Sequence, residues 1–169
     1  MNEKYNLRII NLTIMALQKG DKAPDFKLYN TDKQEVNLSD YKGKNVVILF
    51  FPLAFTSTCT TELCEMRDNI SVYSNLNAEI LGISVDSPFT LGKYKEEQKL
   101  PFYLLSDFNK DTSAAYDSLY ENFMLGMKGV SKRSAFVIDT KGIIQYSEVL
   151  ENAGDLPDFV AVQSVLASL

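Results

Sequence analysis

The two cysteines of this chain are the residues best suited to carry out chemistry. Cys59 comes after an apolar run, a proline and a hydroxyl-rich segment, in the order Phe50-Phe51-Pro52-Leu53-Ala54-Phe55-Thr56-Ser57-Thr58-Cys59. A helix is predicted to begin near Cys59, and the unpaired N–H groups and dipole of a helix start favour a thiolate. Cys64 is the only other thiol and follows five residues later. The pattern indicates redox chemistry at sulfur.

The absence of histidine narrows the kinds of site that are possible. The chain contains no histidine and only two cysteines. A Cys–His or Ser–His catalytic pair is therefore excluded, and a zinc site of the usual kinds is not expected. An activated cysteine must depend on arginine, lysine, hydroxyl groups or backbone dipoles.

Length and composition predict one globular domain. The chain has 169 residues, of which 46% are hydrophobic and 23% charged. Its formal net charge of -5 argues against partners such as nucleic acid or an anionic membrane. Two cysteines are too few for a secreted disulfide scaffold, and no apolar run approaches the roughly 18 residues of a transmembrane helix.

The N-terminal segment is expected to lie outside the domain. We expect residues 1–16 to be a floppy extension, or an upstream start with Met15 as the alternative first residue, and residues 17–169 to form the domain. Asn11 and Thr13 interrupt the apolar stretch of this segment, so a secretory signal is a poor match. The expected location is the cytoplasm.

Apolar periodicity and turn residues predict an α/β fold. The predicted elements are strands at 26–29 and 36–38, a buried strand at 46–51, a helix from 58 or 59 to about 75, a strand at 80–85, a helix at 89–99, a strand at 102–105, a helix at 112–120, a hairpin of 135–139 with 143–146, and a helix from 155 or 157 to 169. This order predicts a central mixed sheet with helices on both faces.

The segment from Pro52 to Cys59 has the pattern Pro-x-x-x-Thr-x-x-Cys. In this motif the chain resembles the peroxiredoxins, the alkyl hydroperoxide reductase/thiol-specific antioxidant family. Further matches are Gly20-Asp21-Lys22-Ala23-Pro24-Asp25-Phe26, Ile83-Ser84-Val85-Asp86 and Arg133-Ser134-Ala135-Phe136-Val137-Ile138-Asp139. Phe51 to Thr56 looks like the alkyl hydroperoxide reductase E type, whereas Cys59 to Cys64 looks like the bacterioferritin-comigratory, or Q, type.

The resemblance implies a thioredoxin-like fold with an N-terminal β-hairpin, and it assigns roles to five residues. Cys59 is the expected peroxidatic thiolate, and Thr56 is expected to hydrogen-bond it and the incoming peroxide. Arg133 is expected to stabilise negative charge. Pro52 is expected to shield the sulfur, and Glu62 to hydrogen-bond the arginine. Each residue also has a plainer interpretation: Cys59 as an inert buried thiol, Thr56 as a turn hydroxyl, Arg133 as a surface charge, Pro52 as a strand terminator, and Glu62 as an acidic residue that stabilises a first helical turn.

Cys64 is the expected resolving cysteine, with a core-packing residue as the alternative. Five residues along an ideal helix separate two Cα atoms by about 8.7 Å, whereas a disulfide needs less than about 7 Å. A Cys59–Cys64 disulfide therefore requires the start of the helix to unwind, which frayed helix ends permit. If Cys64 is not the resolving residue, the enzyme is a one-cysteine type that depends on an external thiol.

The resemblance also implies partners. The expected substrates are hydrogen peroxide and small organic hydroperoxides, the expected reductant is a thioredoxin- or glutaredoxin-like protein, and no metal, haem or flavin is expected. Family members occur as monomers or as dimers, and Phe55, Phe89 and Tyr120 are candidates for a dimer contact. The rival hypotheses are a thiol–disulfide oxidoreductase, which usually carries Cys-x-x-Cys, and a non-catalytic redox sensor.

Overall fold

The computed structural model describes residues 16–169, which form nine strands, five α-helices and two short 3₁₀ turns at Leu38–Tyr41 and Met124–Gly126. The strands are β1 (Lys27–Asn30), β2 (Glu35–Asn37), β3 (Asn45–Phe50), β4 (Ala78–Ser84), β5 (Tyr103–Ser106), β6 (Leu119–Tyr120), β7 (Val130–Ser131), β8 (Ser134–Ile138) and β9 (Ile144–Val149). The helices are α1 (Ser57–Asp68), α2 (Ile70–Asn75), α3 (Pro88–Gln98), α4 (Asp111–Ala115) and α5 (Phe159–Ala167). Apart from Ala16, the predicted extension at 1–16 lies outside the described residues, and the boundary at 17 stays a prediction.

The predicted central mixed sheet is confirmed. Seven strands are ordered β2-β1-β5-β4-β3-β8-β9, and β6 pairs with β7 in a separate ribbon. The pairs β3–β4 and β4–β5 are parallel, and the other pairs in the sheet are antiparallel. Every residue of β3 is buried, because this continuous apolar strand is covered on both faces.

The two faces of the sheet carry different cores. Alternate residues of β3 point to opposite faces: Val47 and Leu49 to one, Val46 and Ile48 to the other. The first face packs against buried side chains of α1, α2, α3 and α5. The second is covered by the N-terminal segment, the first 3₁₀ turn and Tyr116 at the end of α4. No helix within residues 16–169 is both long and apolar enough to cross a bilayer.

The long helix predicted from 58 or 59 to 75 is wrong in two respects. It begins earlier, at Ser57, and it breaks at Asn69, where the backbone leaves helical geometry (φ -106°, ψ 13°). The Asn69 side chain donates to the carbonyl of Glu65 at 2.9 Å. An asparagine that hydrogen-bonds nearby backbone in this way competes with helix continuation, which explains the break.

The helix predicted at 112–120 is also wrong, because α4 ends at Ala115. Tyr116 is fully buried, and its ring lies 5.3 Å from Phe50 and 5.1 Å from Phe136. Its hydroxyl donates to the carbonyl of Pro24 at 2.8 Å. Asp117 then takes a left-handed conformation (φ 51°), which turns the chain into β6. Long-range packing of one aromatic ring therefore ends a helix that local pattern alone would extend.

Candidate active site

A short loop carries the chain from β3 to the helix that holds Cys59. The carboxylate of Asp86, which follows β4, accepts a hydrogen bond from the Ala54 N–H at 2.8 Å. Phe55 then adopts a left-handed conformation (φ 65°), which is strained for a residue with a side chain. Its ring lies 5.0 Å from that of Tyr94 on α3. The Asp86 hydrogen bond and the aromatic contact hold the loop in this strained shape.

Cys59 lies in the first turn of α1, where the sequence predicts a helix start. Thr56 is the N-cap, and the first intrahelical bond runs from the Thr60 N–H to the Thr56 carbonyl at 3.0 Å. The N–H groups of residues 57–59 therefore have no partner within the helix. Their positive ends, together with the helix dipole, favour negative charge at this position. The Cys59 side chain is fully buried.

The register of the sheet places Arg133 beside this thiol. Phe50, the last residue of β3, pairs with Ser134, the first residue of β8. Arg133 therefore lies next to the start of the loop that connects β3 to α1. Its Nη2 donates to Cys59 Sγ at 3.3 Å. Nε and Nη2 also donate to the Ala153 carbonyl at 3.0 and 2.9 Å. Only 1% of Arg133 is exposed, so the interpretation as a surface charge is wrong.

Glu62 is the charged partner of this arginine. Arg133 Nη1 donates to Glu62 Oε2, and the carboxylate is fully buried. Burial opposes the charge on Arg133, but Glu62 and the Cys59 sulfur overcome it and raise the pKa of the guanidinium. Burial also raises the pKa of Glu62 to about 7, against the lowering effect of Arg133. Glu62 is the sixth residue of α1, so the interpretation as a first-turn stabilising residue is wrong.

A solvent-accessible cavity of about 440 Å³ opens onto the site. Four of the predicted site residues line it: Pro52, Thr56, Cys59 and Arg133. The Thr56 hydroxyl donates to the Leu53 carbonyl at 2.8 Å, so in this structure its hydrogen is directed to the loop. Across the part of the chain that the structure describes, His, Cys, Asp and Glu side chains form no group of three that could hold a metal ion.

Cys64 lies outside this cavity. It is half-buried and belongs to the same unbroken helix as Cys59, and both thiols are free. Its Sγ–H donates to the side-chain Oε1 of Gln98, at the end of α3, at 3.6 Å. A disulfide between the two cysteines therefore requires α1 to open.

Several residues that complete the site have no recognisable signal in the sequence. Phe123 and Met124 form part of the cavity wall, together with residues 152–154 of the loop between β9 and α5. The Ala153 carbonyl accepts two hydrogen bonds from Arg133, yet an alanine in a loop carries no chemical signature. Asp86 is part of a predicted family match, but its contact with the cysteine loop was not predicted.

Comparisons with known proteins identify the family of this chain. The family model described as AhpC/TSA family matches residues 19–147. The chain is 42% identical to "Peroxiredoxin Bcp" of Bacillus subtilis over 130 residues, which cover 76% of this chain and 82% of that protein. It is 39% identical over 164 residues to the mitochondrial "Thioredoxin-dependent peroxide reductase" of Drosophila melanogaster, covering 90% and 66% of the two chains.

The fold is also similar to that of solved peroxiredoxins. The structure of peroxidoxin BcpB from Mycobacterium tuberculosis superposes with a TM-score of 0.80 at 28% identity, covering 90% of this chain and 98% of that one. The predicted thioredoxin-like fold is confirmed by this match. The chain therefore belongs to the AhpC/TSA family, as a peroxiredoxin of the Bcp type and a thiol-dependent peroxidase.

Proposed function

We propose that Cys59 is the peroxidatic cysteine. Its thiolate attacks one oxygen of a hydroperoxide and the O–O bond breaks, which leaves a sulfenic acid on Cys59 and releases water or an alcohol once the leaving oxygen has taken a proton. The observation that carries the proposal is the contact of one fixed positive charge, Arg133, with the Cys59 sulfur at 3.3 Å. This charge stabilises the thiolate before attack and the negative oxygen during it.

The remaining predicted residues have supporting roles in this step. Pro52 walls the cavity beside the sulfur, and Glu62 orients the guanidinium of Arg133 from behind. Thr56 binds the peroxide after its hydroxyl turns from the Leu53 carbonyl toward the cavity. The cavity of about 440 Å³ is far larger than the roughly 30 Å³ that a water molecule occupies, so it admits small organic hydroperoxides as well as hydrogen peroxide.

Cys64 is the resolving cysteine in this proposal. Its sulfur attacks the sulfenic sulfur of Cys59, the S–O bond breaks, water leaves and an intramolecular disulfide remains. A dithiol protein of the thioredoxin type then reduces this disulfide by thiol–disulfide exchange. The support for such a donor is the similarity to the Drosophila protein, whose name states that it depends on thioredoxin.

Mass spectrometry after one equivalent of peroxide tests the assignment. Wild type is expected to lose two hydrogen atoms as the disulfide forms. Cys64→Ser is expected to gain one oxygen, about 16 mass units, and to reach the sulfinic acid with excess peroxide. Cys59→Ser is expected to lose peroxidase activity and to keep its fold, because a hydroxyl is a far weaker nucleophile than a thiolate.

Two results would contradict the proposal. Residual activity of Cys59→Ser above about a tenth of wild type would exclude Cys59 as the nucleophile. Wild type that stops at the sulfenic acid would make Cys64 a packing residue and the enzyme a one-cysteine peroxidase. Peroxide consumption with dithiothreitol as the reductant separates both types from a thiol–disulfide oxidoreductase, and sustained turnover separates them from a redox sensor.

A further inference from the structure

One face of α1 is attached to α3 by polar contacts that lie outside the cavity at Cys59. Thr60, Cys64 and Arg67 follow one another at spacings of four and three residues, so they share a face of α1. Tyr94 and Gln98, four residues apart on α3, meet this face. The buried Tyr94 hydroxyl donates to Thr60 Oγ1 at 3.1 Å.

The second contact holds the sulfur of Cys64. Its Sγ–H donates to Gln98 Oε1 at 3.6 Å, and a sulfur can donate only while it keeps its proton. Arg67 Nη1 donates to the Gln98 backbone carbonyl at 2.8 Å, which ties the two helices together at the same point.

We propose that Gln98 is a positioning residue for Cys64 that sets how fast the Cys59–Cys64 disulfide forms. This inference rests on the resolving role proposed above for Cys64. The sulfur of Cys64 reacts as a thiolate, and it must leave α3 to reach Cys59. The hydrogen bond to Gln98 stabilises the position of the thiol on the intact helix. Breaking this bond is therefore part of the resolving step.

The chemistry of that step needs no further reactant. When Cys64 attacks, one S–S bond forms and the S–O bond of the Cys59 sulfenic acid breaks. The proton that Gln98 held on the thiol leaves with the hydroxyl as water, and the sulfenic sulfur is reduced as the thiol is oxidised. A slow release of Cys64 prolongs the life of the sulfenic acid, which a second peroxide can then oxidise to the sulfinic acid. Gln98 thereby also sets the peroxide concentration at which the enzyme is over-oxidised.

Two substitutions of similar size are expected to act in opposite directions. Gln98→Met removes the acceptor but keeps the backbone carbonyl that Arg67 binds, so disulfide formation should speed up by about threefold to tenfold, the change that one weak hydrogen bond supports. Gln98→Glu puts a carboxylate against the thiol, which strengthens the hydrogen bond that must break, so formation should slow by a similar factor. Gln163→Met on α5 is the matched control, since Gln163 is also half-buried but contacts Tyr73.

The rate is measured by rapid quenching with a thiol-alkylating reagent after one equivalent of hydrogen peroxide, followed by intact mass spectrometry. The peroxide concentration that gives half sulfinic acid should rise for Gln98→Met and fall for Gln98→Glu. A second measurement uses reduced protein: in a Cys59→Ser background, iodoacetamide should alkylate Cys64 faster in Gln98→Met and more slowly in Gln98→Glu. The melting temperature of each variant identifies a folding defect.

The outcomes separate this inference from the proposed function. If wild type forms no disulfide, the resolving role of Cys64 fails and the inference fails with it. If wild type forms the disulfide and neither Gln98 variant changes its rate, only the role of Gln98 is overturned. The same holds if both variants shift the rate in one direction, because that result indicates a structural effect on the end of α3.

Discussion

The guanidinium of Arg133 connects the sulfur of Cys59 to Glu62 and to the backbone at Ala153 through hydrogen bonds. Arg133 donates to Cys59 and Glu62 through different nitrogens, and two of its nitrogens also donate to the Ala153 carbonyl. A guanidinium makes such a fork because its N–H groups are fixed in one plane, whereas a lysine ammonium offers one compact charge. The orientation of Arg133 is therefore set on three sides.

The contribution of this charge can be measured by replacing Arg133. Arg133→Met is expected to slow the oxidation of Cys59 by about 100-fold, the typical effect of removing a donor that stabilises charge in a transition state. Arg133→Lys should restore only a small part of the rate, because one ammonium cannot reproduce the fork. Single-turnover loss of the Cys59 thiol against peroxide concentration gives the rate.

A double variant separates the loss of the Arg133 charge from the loss of stability that the same substitution causes. Arg133→Met leaves the buried Glu62 without its partner, which is destabilising by itself. The double variant Arg133→Met/Glu62→Gln should therefore fold better than the single variant and stay as slow toward peroxide. A rate within threefold of wild type in either variant would leave Arg133 with a structural role only.

At the scale of elements, α1 is anchored at its start and along one side. The strained Phe55 and the hydrogen bond from Ala54 to Asp86 fix the loop before it, and Tyr94 and Gln98 hold it against α3. The helix is nevertheless short of backbone partners in its first turn, as every helix is, and it ends after three turns at the Asn69 break. Opening of the first turn therefore breaks few backbone hydrogen bonds.

Oxidation is expected to expose the backbone of this half-helix. After one equivalent of peroxide, amide hydrogens between Cys59 and Met66 should exchange faster in wild type, because a disulfide between residues five apart cannot form within an intact helix. Hydrogen-exchange mass spectrometry measures the change, with α5 as an internal reference that should keep its protection. Oxidised Cys64→Ser should retain a protected α1, and equal exchange in both proteins would contradict the unwinding.

At the scale of the whole molecule, the candidate active site lies between the sheet and its main helical core. Cys59 and Leu63 of α1 belong to the same buried cluster as Val47 and Leu49 of β3. Glu62 is therefore buried deeply enough for its ionisation to affect global stability. Its Oε1 is buried and has no hydrogen-bond partner among the described residues, which adds to the cost of charging it.

This predicts a stability that depends on pH through Glu62. The pKa of Glu62 is raised from its ordinary 4.5 to about 7, so between these values the folded protein holds a proton that the unfolded chain has lost. Stability from this group is thus fully present below about pH 4.5 and is lost as the pH rises through about 7. Arg133 and Glu65 are the charged groups that act on it.

Urea unfolding of wild type and Glu62→Gln at several pH values isolates this effect. Relative to the variant, wild type should lose up to about 3 kcal/mol of unfolding free energy between pH 4.5 and 7.5, since one pKa unit corresponds to about 1.36 kcal/mol. The difference between the two proteins cancels the other titrating groups. A difference that does not change with pH would mean that Glu62 stays ionised throughout this range.

Much of the fold was predictable from local pattern. The continuous apolar run at 46–51 predicted a strand buried on both faces, and β3 occupies Asn45–Phe50. The turn residues Thr140-Lys141-Gly142 predicted the β8–β9 hairpin. The helix break at Asn69 and the early end of α4 were missed, because a side-chain hydrogen bond and the burial of Tyr116 overrode helical periodicity.

The sequence by itself predicted the reactive group and identified the family. The chain has a cysteine at a predicted helix start, no histidine, and the motif from Pro52 to Cys59. Together these features indicate chemistry at a cysteine thiolate. Only the tertiary structure decided which groups surround the two sulfurs. The pairing of Phe50 with Ser134 brings Arg133 next to Cys59, and the packing of α3 on α1 places Gln98 within hydrogen-bonding distance of Cys64. These partners are separated from the cysteines by 74 and 34 residues, and contacts over such distances follow from strand register and helix packing, which no local pattern encodes.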